Sequence, residues 1–198
     1  MPFKVAAIRI TDWLVQGGSV PEEDREIYEF GMDKLLTSLT NFVLTVIAGA
    51  LIGIPLHTGV FYIAYYFLRV YAGGYHAETP GRCFFLSIGV VIPILAAIRF
   101  YPVWHTDLAF YVLLGISLAV LLKIAPVENK NKILDEIEKV VYRGRMLRNL
   151  GIMSITAVML QIFSLHGYAA SVLCGILLAM LMAVAGKVKL MAENRIAE

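Results

Sequence analysis

The residues with chemical potential gather in one short polar segment, Arg69-Val70-Tyr71-Ala72-Gly73-Gly74-Tyr75-His76-Ala77-Glu78-Thr79-Pro80-Gly81-Arg82-Cys83. It carries a thiol, an imidazole, two arginines and a Gly-Gly pair. Thr79-Pro80 has the form of an N-cap followed by proline at the first helical position, so a helix is predicted to begin there with Cys83 in its first turn. A thiol at that place faces the positive end of the helix dipole and unpaired N–H groups. Together with Arg82, and with Arg69 if it folds back, these favour the nucleophilic thiolate relative to the free value of about 8.5. His76 lies seven residues upstream across a glycine-containing turn. From there it can reach Cys83 as a base, then serve as an acid toward a leaving amine. First-turn amides beside Cys83 can form an oxyanion hole. Gly73 and Gly74 permit positive φ or a close approach of backbone.

Other readings of the same residues stay open. Glu78 can orient His76 or be a solvated charge. Ser87, one turn after Cys83, can donate a hydrogen bond to the site or simply pack. A cysteine and a histidine on one loop are equally compatible with a small apolar residue and a hydrogen-bonded interface histidine. A metal site from His57, His76, Cys83 and His105 is disfavoured, because the topology derived below puts His57 and His105 on the opposite side from the other two. No metal and no cofactor are expected.

The elements that position this segment follow from composition. Of the 198 residues, 59% are hydrophobic and only 16% charged, and the mean hydropathy is +0.75. Soluble domains carry roughly a quarter charged residues, and an apolar surplus of this size finds its solvent in a bilayer. The two cysteines, Cys83 and Cys174, are too few for a disulfide framework and read as separate thiols. No cleavable signal peptide is expected at the N-terminus. Residues 3–15 alternate apolar side chains with Lys4, Arg9 and Asp12, which fits an amphipathic helix lying in the membrane interface or packed on the protein itself. Residues 22–33 are acidic and helix-prone after Pro21. Six apolar runs follow, at 35–54, 56–68, 83–98, 108–122, 150–165 and 167–186. The expected fold is therefore all-α: a polytopic membrane helical bundle of about six transmembrane segments with an N-terminal amphipathic helix. Because several runs fall short of the ~17 residues a span usually needs, four spans with two re-entrant or interfacial segments are the alternative. There is no internal repeat, and 1–198 reads as a single domain.

Charge placement sets the orientation. With six spans, 16 of the 17 lysines and arginines fall on one side. They lie in the N-terminal arm, at Arg69 and Arg82, in the connection from Lys123 to Arg148, and in the tail. Arg99 alone lies on the other side. The positive-inside rule then puts both termini, the polar segment and the basic connection in the cytoplasm of a multi-pass cell-membrane protein. The stretch Ala125-Pro126-Val127-Glu128-Asn129-Lys130-Asn131-Lys132 reads as a turn with clustered positive charge. It would draw an acidic peptide or anionic headgroups, or it carries its lysines only to stay inside.

Arg69, the Gly73-Gly74-Tyr75-His76-Ala77 segment, Cys83, and the downstream Ala125-Pro126-Val127 with Asn129-Lys130 together resemble the accessory gene regulator B (AgrB) family, in that order and across most of the chain. The resemblance implies a membrane cysteine endopeptidase of Gram-positive quorum sensing. Such enzymes cut a small precursor peptide, AgrD, on the cytoplasmic side and help form a cyclic autoinducing peptide. By matching positions, Cys83 is the nucleophile, His76 its base, and Arg69 and Gly74 supporting residues. The implied substrate has an amphipathic leader, a core with its own cysteine and an acidic tail, which Lys130 and Lys132 would suit. The expected partners are an AgrD-like precursor, the lipid bilayer and a second copy in a homodimer, with no nucleic acid.

Two other classes compete with this reading. A peptide-export component would use the spans as a path, but the chain has no Walker motif and no acidic residue inside a predicted span to relay protons. A non-catalytic scaffold would use the small residues Gly175, Ala179, Ala183 and Gly186 as a packing face, which could equally hold a homodimer.

Overall fold

The computed structural model describes residues 3–75, 80–104, 106–128 and 135–197. They form seven helices: α1 (Lys4–Gln16), α2 (Arg25–Leu51), α3 (Pro55–Ala72), α4 (Pro80–Trp104), α5 (Asp107–Ile124), α6 (Glu136–Ile162) and α7 (His166–Ala197). Among the described residues there is no strand, only one isolated parallel bridge between Gly73 and Val127. The chain is an all-α bundle. Each of the six apolar runs sits in its own helix, α2 to α7. The helices outlast the apolar runs because polar turns extend them. Thus α3 starts with Pro55 at its first turn, includes His57 and Arg69, and reaches 18 residues, about 27 Å at the usual rise. Three helical stretches, Glu22–Leu51, Asp107–Ile124 and His166–Glu193, are long and apolar enough to cross a membrane. A shorter apolar stretch covers Gly89–Tyr101 in α4.

The chain divides into two compact units, residues 1–48 and 49–198. In the first, α1 is tied to the start of α2. The Phe3 N–H donates to Asp33 Oδ1 at 3.0 Å, and the Arg25 guanidinium bonds Asp12, Glu22 and Glu29. Ala7, Thr11, Val20 and Asp33 are buried, while Val5 and Trp13 stay exposed. The amphipathic helix is thus anchored to its own chain and still presents an aromatic and an arginine outward.

In the second unit, α7 is the hub and packs against α3, α4, α5 and α6. Small residues make this possible. A Cβ on Gly175 would lie 2.8 Å from the Ala64 Cβ, 2.9 Å from the Tyr65 N and 3.0 Å from the Phe61 O. Ala179 and Ala183 are fully buried. In lipid, where apolar burial between helices brings little gain, such close backbone approach is what associates them. The small-residue face of α7 is therefore filled from within the chain.

The surface of the unit is inverted relative to a soluble protein. Leu108, Ile116, Ile155 and Ile162 are half or more exposed, while Thr58, Ser117 and Ser171 are buried. The buried hydroxyls donate to carbonyls four residues back in their own helices: Ser117 to Leu113 at 2.7 Å, Ser171 to Gly167 at 2.8 Å and Thr58 to Ile54 at 2.9 Å. Apolar outside and self-satisfied polar inside is the pattern a bilayer solvent demands.

Direction follows from paired contacts. His57 stacks on Tyr168 with ring centroids 4.3 Å apart, and Gly73–Tyr75 touches Met182 and Gly186, so α3 and α7 run parallel. Gln161 donates to Asp107 at 2.8 Å and Arg143 to the Leu122 carbonyl at 3.4 Å, so α5 and α6 are antiparallel. Tight turns close the hairpins: Phe163 to Leu165, with Ser164 at φ 60°, joins α6 to α7, and the fifth apolar run ends three residues earlier than predicted. The Thr106 side chain caps α5 by accepting from the Ala109 N–H at 3.1 Å. A capping box of Asp135 and Glu138 starts α6. One end of the unit thus collects residues 73–75 after α3, the Ala125–Val127 turn, the start of α6 and the later part of α7. That end carries Arg69, Lys123, Lys139, Arg143, Arg145, Arg148, Lys187 and Lys189.

Candidate functional site

The centre of that end is the three-residue strap 73–75, which leaves α3 and leads toward α4. It is fixed by backbone on two sides. On one, the Val127 N–H donates to the Ala72 carbonyl at 2.9 Å and Val127 bridges Gly73. On the other, the Tyr75 N–H donates to the Met182 carbonyl of α7 at 2.8 Å. The Arg69 guanidinium closes the strap by donating to the Tyr75 carbonyl at 2.6 Å. Both glycines are needed. Gly73 has φ 71° and Gly74 φ 123°, conformations that L side chains rarely adopt. A Cβ on Gly73 would also lie 2.1 Å from the Val127 oxygen, and one on Gly74 2.4 Å from the Met182 oxygen.

The two motifs singled out in the sequence therefore meet. Ala125 and Val127 are buried, and their turn clasps the glycine strap. The sequence suggested an anion-attracting role for this stretch, and the structure gives its first three residues a different task. Beyond the residues those motifs contain, the site includes Met182 and Gly186 of α7, which the sequence does not mark as part of it. Their contributions are mostly backbone groups, which leave no side-chain signature. The one available signal was the glycine at the end of the small-residue series on α7.

Beyond the strap, α4 begins at Pro80, as the Thr79-Pro80 pair predicts, and residue 83 falls in its first turn. His76, Glu78, Thr79, Lys130, Lys132 and His105 lie outside the described residues, as do the side chains of Arg82, Cys83 and Ser87. His57 stands at the start of α3, a helix length away from the strap, so it is not gathered with the residues that flank Cys83. Among the described residues no group of three or more histidines, cysteines, aspartates or glutamates is placed to hold a metal ion.

Cations and aromatics surround the strap. Lys189 Nζ sits 5.2 Å from the centroid of the Tyr75 ring and 3.8 Å from Glu193. The Arg145 guanidinium lies 5.8 Å from the Tyr71 ring centroid, and that ring meets Tyr142 edge-on at 5.7 Å. Asn149 donates to the Phe67 carbonyl at 3.1 Å, which pins α6 to the last turns of α3. Lys139 pairs with Glu136 at 2.9 Å and Glu128 at 3.3 Å, and those carboxylates raise its pKa, Glu136 first. Lys139 thus stays charged, and its pairing stays intact, until pH climbs past the ordinary lysine range.

Fold and site together define a class: an α-helical membrane protein with a backbone-clamped glycine strap at its cation-rich end. The family model described as Accessory gene regulator B matches residues 7–185, and the chain belongs to the AgrB family. That membership links it to the agr quorum-sensing system and a membrane setting. It is 29% identical over 117 residues to a Clostridium perfringens (strain SM101 / Type A) protein named "Putative AgrB-like protein", covering 56% of this chain and 54% of that protein. It is also 29% identical over 115 residues to "Putative AgrB-like protein 2" of Clostridium perfringens (strain 13 / Type A), with the same coverage of 56% and 54%. The chain thus spans about half the length of the curated relatives it matches. No solved structure matches it.

Proposed function

We propose that the protein is a membrane cysteine endopeptidase that cleaves an AgrD-like pro-peptide on the cytoplasmic side and promotes its closure into a thiolactone. The observation that carries this reading is the strap. Met182 and Arg69 fix the chain at Tyr75, immediately before His76, Val127 holds it at Ala72 and Gly73, and α4 opens at Pro80 with residue 83 in its first turn. Rigid flanks around a short connection are what a two-residue catalytic pair needs.

In the proposed reaction Cys83 loses its proton to His76, and the thiolate attacks the scissile carbonyl. The C–N bond breaks, the amine leaves with the proton from His76, and the peptide stays on Cys83 as a thioester. The peptide's own thiol then attacks that thioester, forming the ring and releasing Cys83. One thioester replaces another, so this step is nearly thermoneutral. Water is the competitor, and a site at the membrane boundary restricts it. Acid–base help from His76 is on the order of 10²–10⁴-fold. Glu78 orients His76, Ser87 adds a hydrogen bond, and Lys130 and Lys132 receive an acidic tail. Both termini and the site lie in the cytoplasm of a cell-membrane protein. The homodimer uses a surface other than the filled face of α7.

The test is substitution with insertion as control. Cys83→Ala and His76→Ala are expected to abolish cleavage of a co-expressed cysteine-containing precursor and to leave membrane insertion intact. Processing at the wild-type rate in either variant would defeat the mechanism.

A further inference from the structure

Gly186 touches the strap from the α7 side, and its chemistry differs from that of the other small residues on that helix. Gly175 admits α3, which is ordinary helix packing. A Cβ on Gly186 would instead lie 2.5 Å from the Gly74 carbonyl carbon, 2.6 Å from the Gly74 Cα and 2.6 Å from the Tyr75 N. All three are backbone atoms and cannot swing aside. Gly74 answers in kind, because its own Cβ would meet Met182 O at 2.4 Å, Met182 C at 2.7 Å and Ala183 N at 3.0 Å. Two glycines from segments more than 100 residues apart thus face one another with no side chain between.

This contact has a purpose in hydrogen bonding. Helix geometry directs the Met182 carbonyl at the N–H of residue 186. A carbonyl has a second lone pair, and the Tyr75 N–H takes it at 2.8 Å. The approach passes directly over position 186, so only glycine there leaves the lone pair open.

We infer that Gly186 is a positioning residue for the nucleophile–base pair: it sets the depth at which α7 seats Tyr75, and with it the chain that carries His76. This rests on the assignment of Cys83 and His76 made above. An added methyl must push the strap out by about 1 Å to restore ordinary contact, and a displacement of that size is enough to cost roughly 10²-fold in rate. The effect passes through Tyr75. Gly186 itself touches no reacting atom.

The pH profile of Cys83 alkylation by iodoacetamide tests this without needing the natural substrate. It is read by mass spectrometry on the full-length protein in membrane vesicles. The wild type is expected to titrate below the free thiol value of about 8.5. Gly186→Ala and His76→Ala are expected to move the profile up toward that value. Gly151→Ala, whose Cβ would meet nothing within 4 Å, is expected to keep the wild-type profile. If His76→Ala shifts the profile and Gly186→Ala does not, the positioning role is wrong and the catalytic assignment stands. If the wild-type thiol titrates as a free one and His76→Ala leaves it unchanged, the assignment fails and takes this inference with it. Should Gly186→Ala fail to accumulate in the membrane, hydrogen exchange on the wild-type protein decides. The Tyr75 amide is expected to exchange on the order of 10² times more slowly than an unstructured amide, and exchange at the unstructured rate overturns the inference.

Discussion

Arg69 stands on the last full turn of α3 and reaches forward six residues to the Tyr75 carbonyl. A hydrogen bond from a charged donor is worth about 1.5–3 kcal/mol, enough to decide whether a strap of three residues stays closed. Arg69→Ala should therefore lower precursor cleavage more than tenfold with little change in the amount of protein in the membrane. Arg69→Lys keeps the charge but loses the planar fork and part of the reach, so it should recover only a fraction. Measured initial rates of the two variants separate a geometric role from a purely electrostatic one: a lysine variant at the wild-type rate would mean charge alone matters.

At the scale of elements, the turn after α5 acts as the outer jaw of the clamp. Its grip is a backbone N–H, which makes an unusual prediction possible. Val127→Ala keeps that donor and should retain most activity, losing about 1 kcal/mol of packing. Val127→Pro removes the donor to Ala72 and should cost activity at least as severely as Arg69→Ala. Cleavage rates for the pair, normalised to membrane-inserted protein, check this; equal loss in both would point to side-chain packing instead. The same turn marks where sequence reading stops. The six apolar helices, α2 to α7, were legible because apolar runs and charge breaks report directly on lipid and water. The start of α4 was legible because proline favours the first helical position. The polar first half of α6 was not, since 136–149 reads as loop by hydropathy but becomes helix once Asp135 and Glu138 cap it and Tyr142 and Asn149 dock on α3. Nor was the junction of Gly73 with Val127, because hydrogen bonds between peptide groups leave no imprint on residue type except the glycines that allow them. Small residues on α7 were noticed, but their spacing says only that something packs closely, not whether a neighbour in the same chain or a second copy does so.

At the scale of the molecule, the arrangement of α3, α5, α6 and α7 separates two ends that differ in charge. One carries the strap and the cations from α6 and α7; the other carries His57, Asp107, Gln161 and Tyr168. Single cysteines introduced at the exposed positions Glu136 and Leu108 are expected to react with a membrane-impermeant maleimide from opposite faces, with position 136 on the cytoplasmic one. Labelling of both from the same face would contradict the antiparallel pairing of α5 and α6.

The acceptor for Tyr75 belongs to α7, more than 100 residues further along the chain. A ribosome that has finished α3 and α4 has made Cys83, His76 and both strap glycines, yet the surface that seats Gly74 and Tyr75, at Met182 and Gly186, is still to be synthesised. The strap therefore closes only once α7 has been made. A product terminated before Met182 would carry a strap with no acceptor for the Tyr75 amide, open where the longer chain is closed.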